Sequence, residues 1–181
     1  FNHLIFVSEH NCDSFKSVFP QLEKKCRVIY NFLDIEQIRE QAKGQIDSEL
    51  FKKKCPEQLN IVISGRLEPQ KAYHRLIDAV KVLNDRKLNI EYYILGVGYE
   101  YSELKERCQK YNIKNIHFWG YRANPFPYIR AADVFAILSE YEGLALVIAE
   151  SLAVGTPVIS TESGGVHELL KTEQGWIIKN D

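Results

Sequence analysis

Two glutamates stand where an acid looks out of place. Residues 136–160, AILSEYEGLALVIAESLAVGTPVIS, read as a buried strand, an acidic turn, an apolar helix over 144–154, a Gly-Thr-Pro corner and a second buried strand. Glu142 precedes a glycine at the mouth of that helix, and Glu150 lies inside its apolar run. A carboxylate in such surroundings is costly unless it is paired or binds something. Taken alone, Glu142 reads better as a helix cap and Glu150 as a group on a solvated edge. The two together, flanked by strands, favour a ligand site.

Two cations occupy a comparable place upstream. Residues 64–71, Ser-Gly-Arg-Leu-Glu-Pro-Gln-Lys, follow one apolar strand and precede a helix. Gly65 lets the backbone turn sharply. Arg66 and Lys71 then stand at a helix N-terminus, where positive charge is unfavourable until an anion arrives, and a diphosphate would supply one. On charge alone both read as solvated surface cations.

Other constellations carry less. Residues 95–99, Leu-Gly-Val-Gly-Tyr, begin like a dinucleotide fingerprint, but Tyr101 fills the third glycine position and the next strand ends in Trp119-Gly120-Tyr121 without an acid. That argues against a nicotinamide cofactor. The loop Gly120-Tyr121-Arg122-Ala123-Asn124-Pro125 reads as a binding loop or an ordinary exposed one. The five histidines show no ligand spacing with cysteine or acid, so no metal site is expected. There is no Asp-x-Asp pair and no G-x-S-x-G elbow. Glu140 and Glu142 are spaced as paired acids, but nothing places a second catalytic group opposite them.

The elements that must position these residues are legible from apolar runs. Strands are expected over 59–64, 90–95, 115–119, 134–138, 157–160 and 176–178. Helices are expected over 72–83, 101–111, 125–132, 144–154 and 166–170. Apolar residues at 72, 76, 79, 80 and 83 keep a helical spacing. Continuous apolar strands between helices mean an α/β fold, a Rossmann-like parallel sheet with helices on both faces. Such sheets bind ligands at the carboxyl ends of their strands. Ahead of them come a strand over 2–8, a helix over 9–19 stopped by Pro20, a strand over 27–30, and a helix over 35–43 capped by Asp34 and ended by Gly44.

Composition narrows the class. With 45% hydrophobic residues, 26% charged and a formal net charge of −1 over 181 residues, the chain can build one core and has no bulk attraction for nucleic acid. No apolar run approaches the roughly 20 residues that span a bilayer, so no transmembrane segment is expected. Cys12, Cys26, Cys55 and Cys108 are widely spaced, form no C-x-x-C, and read as reduced thiols in a cytoplasmic protein. A chain that starts at Phe1 and has no methionine is expected to be a piece of a longer protein.

Taken together, Glu142-Gly143, Glu150 with seven residues between the two glutamates, and Ala153-Val154-Gly155-Thr156-Pro157-Val158-Ile159 resemble the E-x7-E signature of the family 4 (group 1) glycosyltransferases. Gly65-Arg66-Leu67 with Lys71 is similar to that family's Gly-Arg-Leu-x-x-x-Lys-Gly, with Ala72 in place of the last glycine. Val97 and Tyr99 depart from its Gly-Asp-Gly-Pro turn, and Phe32 from its Asn-Gly-Val-Asp. The resemblance covers about residues 28–181. It implies the C-terminal half of a two-domain GT-B enzyme, with residues 1–27 a remnant of the N-terminal domain and linker. It further implies a retaining transfer, without metal or other cofactor, from a UDP-, GDP- or ADP-linked sugar to a glycan or lipid-linked acceptor. The acceptor would be bound through the missing N-terminal domain, by an enzyme peripheral at the membrane in its full length.

Residue by residue, the resemblance assigns Arg66 and Lys71 to the diphosphate and Glu142 to the donor sugar or the phosphates near it. The amides of Gly143, Leu144, Ala145 and Leu146 would face the diphosphate. Glu150 would take the ribose hydroxyls, since one carboxylate can accept from two adjacent hydroxyls. Gly65 would shape the phosphate loop, and Tyr121 and Arg122 would lie beside the base. The alternatives are a nucleotide-sugar epimerase or phosphorylase on the same fold, or a non-catalytic nucleotide-binding module. The fragment alone is expected to be inactive. Its strand over 2–8 would have to pack on the main domain, pair with another copy, or stay exposed.

Overall fold

The structure, a computed structural model, describes residues 2–46, 51 and 56–180. Cys55 therefore lies outside the described residues, while Cys12, Cys26 and Cys108 are free thiols.

The chain opens with β1 (Leu4–Phe6), α1 (Glu9–Val18), a 3-10 segment (Pro20–Lys25) and β2 (Cys26–Val28). Ser8 caps α1, its Oγ accepting from the Asn11 amide. The first strand has its partner within the chain: β1 and β2 pair in parallel, Leu4 opposite Cys26 and Phe6 opposite Val28, as a separate two-stranded sheet. Asp34 then caps α2 (Ile35–Gln41), accepting from the Gln37 amide as its position suggested.

The main sheet is built from β3 (Leu59–Ser64), β4 (Ile90–Leu95), β5 (Ile116–Gly120), β6 (Val134–Ile137), β7 (Val158–Thr161) and β8 (Gly175–Ile178). All neighbours are parallel, in the order β5-β4-β3-β6-β7-β8. The helices between them are α3 (Tyr73–Asp85), α4 (Tyr101–Lys110), α5 (Phe126–Ala131), α6 (Leu146–Ala153) and α7 (Val166–Leu169). None among the described residues is long and apolar enough to cross a membrane.

Alternate strand residues face opposite ways, and each face has its own core. Val62, Tyr93, Leu95, Phe135 and Ile137 pack with Ile129 of α5, Ile148 of α6 and Val166 of α7. Ile63, Tyr92, Ile94 and Ala136 pack with Leu76, Ile77 and Val80 of α3 and Leu104 of α4. Burying both faces is what demands the continuous apolar strands.

Two features fix the carboxyl-end loops. The first is a seam between the loops after β3 and β4. The Leu67 amide donates to the Val97 carbonyl and the Glu100 amide to the Leu67 carbonyl. The chains run so close that a Cβ on Gly96 would lie 1.8 Å from the Gly65 carbonyl oxygen. The G-x-G of residues 96–98 is thus a packing device that holds the Gly65–Leu67 turn, and this close approach gives it a purpose other than a dinucleotide.

The second is a latch on the first unit. Glu168 of α7 accepts from the amides of Glu9 and His10, at 3.0 Å each, and from the Tyr30 hydroxyl at 2.7 Å. Burial works to raise its pKa, but the two amides and the phenol outweigh burial and leave the carboxyl below its ordinary 4.5. The same bond pushes the Tyr30 hydroxyl up to about 12.

Both features are testable. Gly96→Ala cannot be accommodated without moving the Gly65 turn, and should destabilise the chain by about 1–3 kcal/mol, read as a lower urea midpoint. An unchanged midpoint would show that the seam tolerates a side chain. Because the folded pKa of Glu168 is below the unfolded one, its contribution is complete above the unfolded value and lost as pH falls through the folded one. Glu168→Gln should therefore lower the melting temperature at neutral pH by the equivalent of about 1 kcal/mol, and the gap should close in acid, once the pH has fallen below the folded value. A gap that persists in acid would rule out the ionised latch.

Candidate functional site

The site follows from strand order. From β3 the chain moves outward through β4 to β5, then returns to the other side of β3 with β6. The loops after β3 and β6 therefore leave the sheet in opposite directions from neighbouring strands, opening a crevice at their carboxyl ends. Those two loops are the two motifs singled out in the sequence, residues 65–72 and 138–145.

A clasp holds the loops together. The Glu140 amide donates to the Gln70 carbonyl and the Gln70 side chain to the Tyr141 carbonyl, both at 2.9 Å. Asn180 Nδ2 donates to the Glu140 carbonyl at 2.7 Å, and Arg75 reaches both Asn180 and Glu140. On its inner side Lys71 Nζ meets Glu142 Oε1 at 2.6 Å. The Lys71 side chain is 26% exposed and that of Glu142 only 11%, so solvent screens this pair weakly. Lys71 ends a 3-10 turn (Pro69–Lys71), and the next residue, Ala72, takes φ 49° as it leads into α3. Ala72 is thus a left-handed linker before the helix, where a first helical residue was expected.

The two cations part company. The Arg66 side chain is 72% exposed and pairs with Glu68 at 2.9 Å. It lines a cleft of about 340 Å3 together with Gly65, Gly96, Tyr121, Arg122 and Pro125. Tyr121 is exposed at the rim, and the Arg122 guanidinium sits 5.9 Å from the Tyr128 ring centroid. Gly65, Arg66, Tyr121 and Arg122 are thus brought to one cleft, while Lys71 and Glu142 form a second centre beside Ser64.

The acidic loop differs from its expected form. The helix begins at Leu146 rather than 144, with Ala145 at the cap and no side-chain cap bond. The Leu146 amide, expected to be free, donates to the Leu144 carbonyl at 2.8 Å. Ala145, at φ −74° and ψ 78°, makes that an inverse γ-turn. The amides of Gly143, Leu144 and Ala145 have no protein acceptor among the described residues. Leu144 and Ala145 are buried, so their side chains back this turn. Gly164, at φ 52°, lets the following turn pass behind it, where a Cβ would meet the Glu142 carbonyl oxygen at 2.0 Å. Asn11 Nδ2 of the first unit donates to the Gly143 carbonyl at 3.3 Å.

Glu150 sits mid-way along α6, half-buried, with no hydrogen bond or ion pair among the described residues. Burial raises its pKa above the ordinary value. The far end of its helix is pinned, since Ser151 Oγ donates to the Thr156 carbonyl and Thr156 Oγ1 to the Ile129 carbonyl. An acid desolvated and left without donors is set for a ligand that brings its own. The clasp residues Gln70, Arg75 and Asn180 and the latch Glu168 were not singled out from the sequence. Each acts through tertiary contacts between distant segments, which no local pattern marks.

With this geometry in hand, the comparisons are informative. Residues 45–181 match the family model "Glycosyl transferases group 1". An uncharacterised glycosyltransferase of Methanocaldococcus jannaschii is 27% identical over 172 residues, spanning 94% of this chain and 42% of that protein. The N-acetylgalactosamine-N,N'-diacetylbacillosaminyl-diphospho-undecaprenol 4-alpha-N-acetylgalactosaminyltransferase of Campylobacter jejuni is 29% identical, spanning 96% and 46%. The crystal structure of Anabaena HepE in complex with UDP superposes with a TM-score of 0.81 at 22% identity, over 98% of this chain and 50% of that one, which shows a shared fold. The chain spans less than half the length of these curated relatives. Its six-stranded parallel sheet and its match over residues 45–181 place the chain in the group 1 glycosyltransferase family.

Proposed function

We propose that this chain binds a nucleoside diphosphate sugar, linked to UDP, GDP or ADP, and presents it for glycosyl transfer. The transfer would retain anomeric configuration and use no metal, with a glycan or lipid-linked acceptor held by the part of the protein this chain does not span. Residues 28–181 would form the donor half and residues 1–27 would belong with the partner half; the separate sheet of β1 and β2, which ends at Val28, supports a boundary near that residue.

One observation carries the reading: at the switch point Lys71 pairs with Glu142, directly ahead of three consecutive backbone amides, Gly143 to Ala145, that have no protein acceptor among the described residues. Such a group suits a diphosphate leaving group, whose charge grows as the glycosyl bond breaks. Arg66 adds a cation at the cleft rim, and its pairing with Glu68 leaves it largely solvated. In this reading Glu150 accepts from the ribose, Glu142 lies at the sugar end, and Gly65, Tyr121 and Arg122 frame the base. The HepE complexes with UDP and with UDP-glucose support the donor class.

Calorimetric titration of the chain with UDP, GDP and ADP in EDTA tests this directly. Binding of at least one is expected. Binding of none, or only with a divalent ion, would count against it. Incubation with nucleotide sugars and acceptors should yield no transfer, because one wall of a cleft cannot orient both substrates.

Glu150→Gln should move two readouts in opposite directions. Because the folded pKa is raised, neutral Glu150 stabilises the fold relative to the charged form, and that benefit is lost as pH rises through the folded value. At pH 7 the glutamine variant should therefore melt higher than wild type, while its affinity for the nucleoside diphosphate should fall by about 1.5–3 kcal/mol. Unchanged affinity would remove Glu150 from the site, and a lower melting point would show that its carboxylate is not the unpaired charge described.

A further inference from the structure

We propose that Glu142 is a built-in competitor for the donor's phosphates. Its carboxylate occupies Lys71 when the site is empty, and an arriving diphosphate must take that cation from it. The inference rests on the donor-site reading above and extends it to how the site separates intact donor from spent nucleotide.

The pair is closer than the other Lys or Arg ion pairs of the crevice, at 2.6 Å against 2.9 Å for Arg66–Glu68 and 3.7 Å for Arg75–Glu140. It is also the most sheltered of the three, with side chains 26% and 11% exposed. Gln70 and Glu140 hold the backbone beside both partners, so the pair can be exchanged by side-chain rotation with the clasp still closed. The neighbouring cations have other partners when the site is empty, Arg66 with Glu68 and Arg75 with Glu140 and Asn180.

A free nucleoside diphosphate entering this corner gains Lys71 and the amides of residues 143–145. It also leaves Glu142 displaced and facing added negative charge in a poorly solvated position, which is costly. An intact nucleotide sugar brings hydroxyl groups on the sugar side, where the displaced carboxylate can accept hydrogen bonds. The penalty therefore falls on the product and is offset for the substrate. Glu142 would set a preference for loaded over unloaded nucleotide, and would speed release of the latter.

The test is a double-mutant cycle on the 181-residue chain, titrating wild type, Glu142→Gln, Lys71→Met and the double variant with the nucleoside diphosphate and with its glucose conjugate. Glutamine keeps the shape and removes the charge. Glu142→Gln should bind the free diphosphate about tenfold tighter than wild type, which is about 1.4 kcal/mol. The gain for the glucose conjugate should be smaller or reversed. In the Lys71→Met background the gain should vanish, because the effect acts through that cation. Glu142→Ala, with the melting temperature recorded for each variant, guards against a folding artefact and should shift the diphosphate in the same direction. If wild type binds and Glu142→Gln binds equally or more weakly, the competitor role is wrong and the donor reading survives. A gain that persists without Lys71 also overturns it. If neither wild type nor Glu142→Gln binds any of UDP, GDP and ADP, the donor reading itself falls.

Discussion

The reversal of strand order beside β3 is the constraint from which the rest follows. Parallel strands joined by helical crossovers must add neighbours on one side until the chain returns to the starting strand and builds outward on the other. Here the return is from β5 to β6. It leaves two loops with no crossover covering the gap between them, so polar groups can remain unpaired there without being buried under a helix. Lys71, Glu142 and the amides of residues 143–145 all lie along that gap. The apolar demand of the sheet and the polar demand of a ligand site are thus met at different places on the same strands.

The crevice is shaped from both flanks by segments that contribute no chemistry of their own. On one side Gly96 permits a backbone contact that fixes the Gly65 turn, and with it Arg66. On the other, Asn11 in the first turn of α1 leans on the Gly143 loop, and the start of that helix is held by Glu168. Movement of the first unit therefore has a direct route to the turn at residues 143–145 through one side-chain amide. This is a mechanical link as well as a packing contact, because the Gly143 carbonyl belongs to the same short turn as the free amides.

Some of this was legible from residues alone, for identifiable reasons. The strands at 59–64 and 90–95 match to the residue, because a strand buried on both faces reads as a mostly apolar run even with Asn60 or Glu91 inside it. Asp34 was readable as a cap because a short acid before an amphipathic run has few other uses. The start of α6 was placed two residues early, since Ala145 carries no capping side chain and the inverse γ-turn leaves no compositional mark. Arg66 and Lys71 looked equivalent because charge and spacing cannot tell which way a long side chain points. The clasp then held one inward and left the other in solvent. Ala72 was read into the helix on its propensity, yet the turn needed a left-handed residue there and tertiary packing imposed it.

The clasp also bears on when the site can exist. Its partners are far apart along the chain: Lys71 and Glu142 are separated by 71 residues, Arg75 and Asn180 by 105, and the latch joins Glu9 to Glu168 across 159. Closing such spans costs conformational entropy that nearby contacts do not, so these contacts form late and only after the sheet has brought their ends together. Asn180 is also synthesised after all six strands of the main sheet, and Glu168 after five of them. A growing chain therefore passes through a stage in which the sheet can begin to assemble while the clasp is still incomplete. A ligand of that corner could not act as a template for folding during that interval; the finished scaffold must come first.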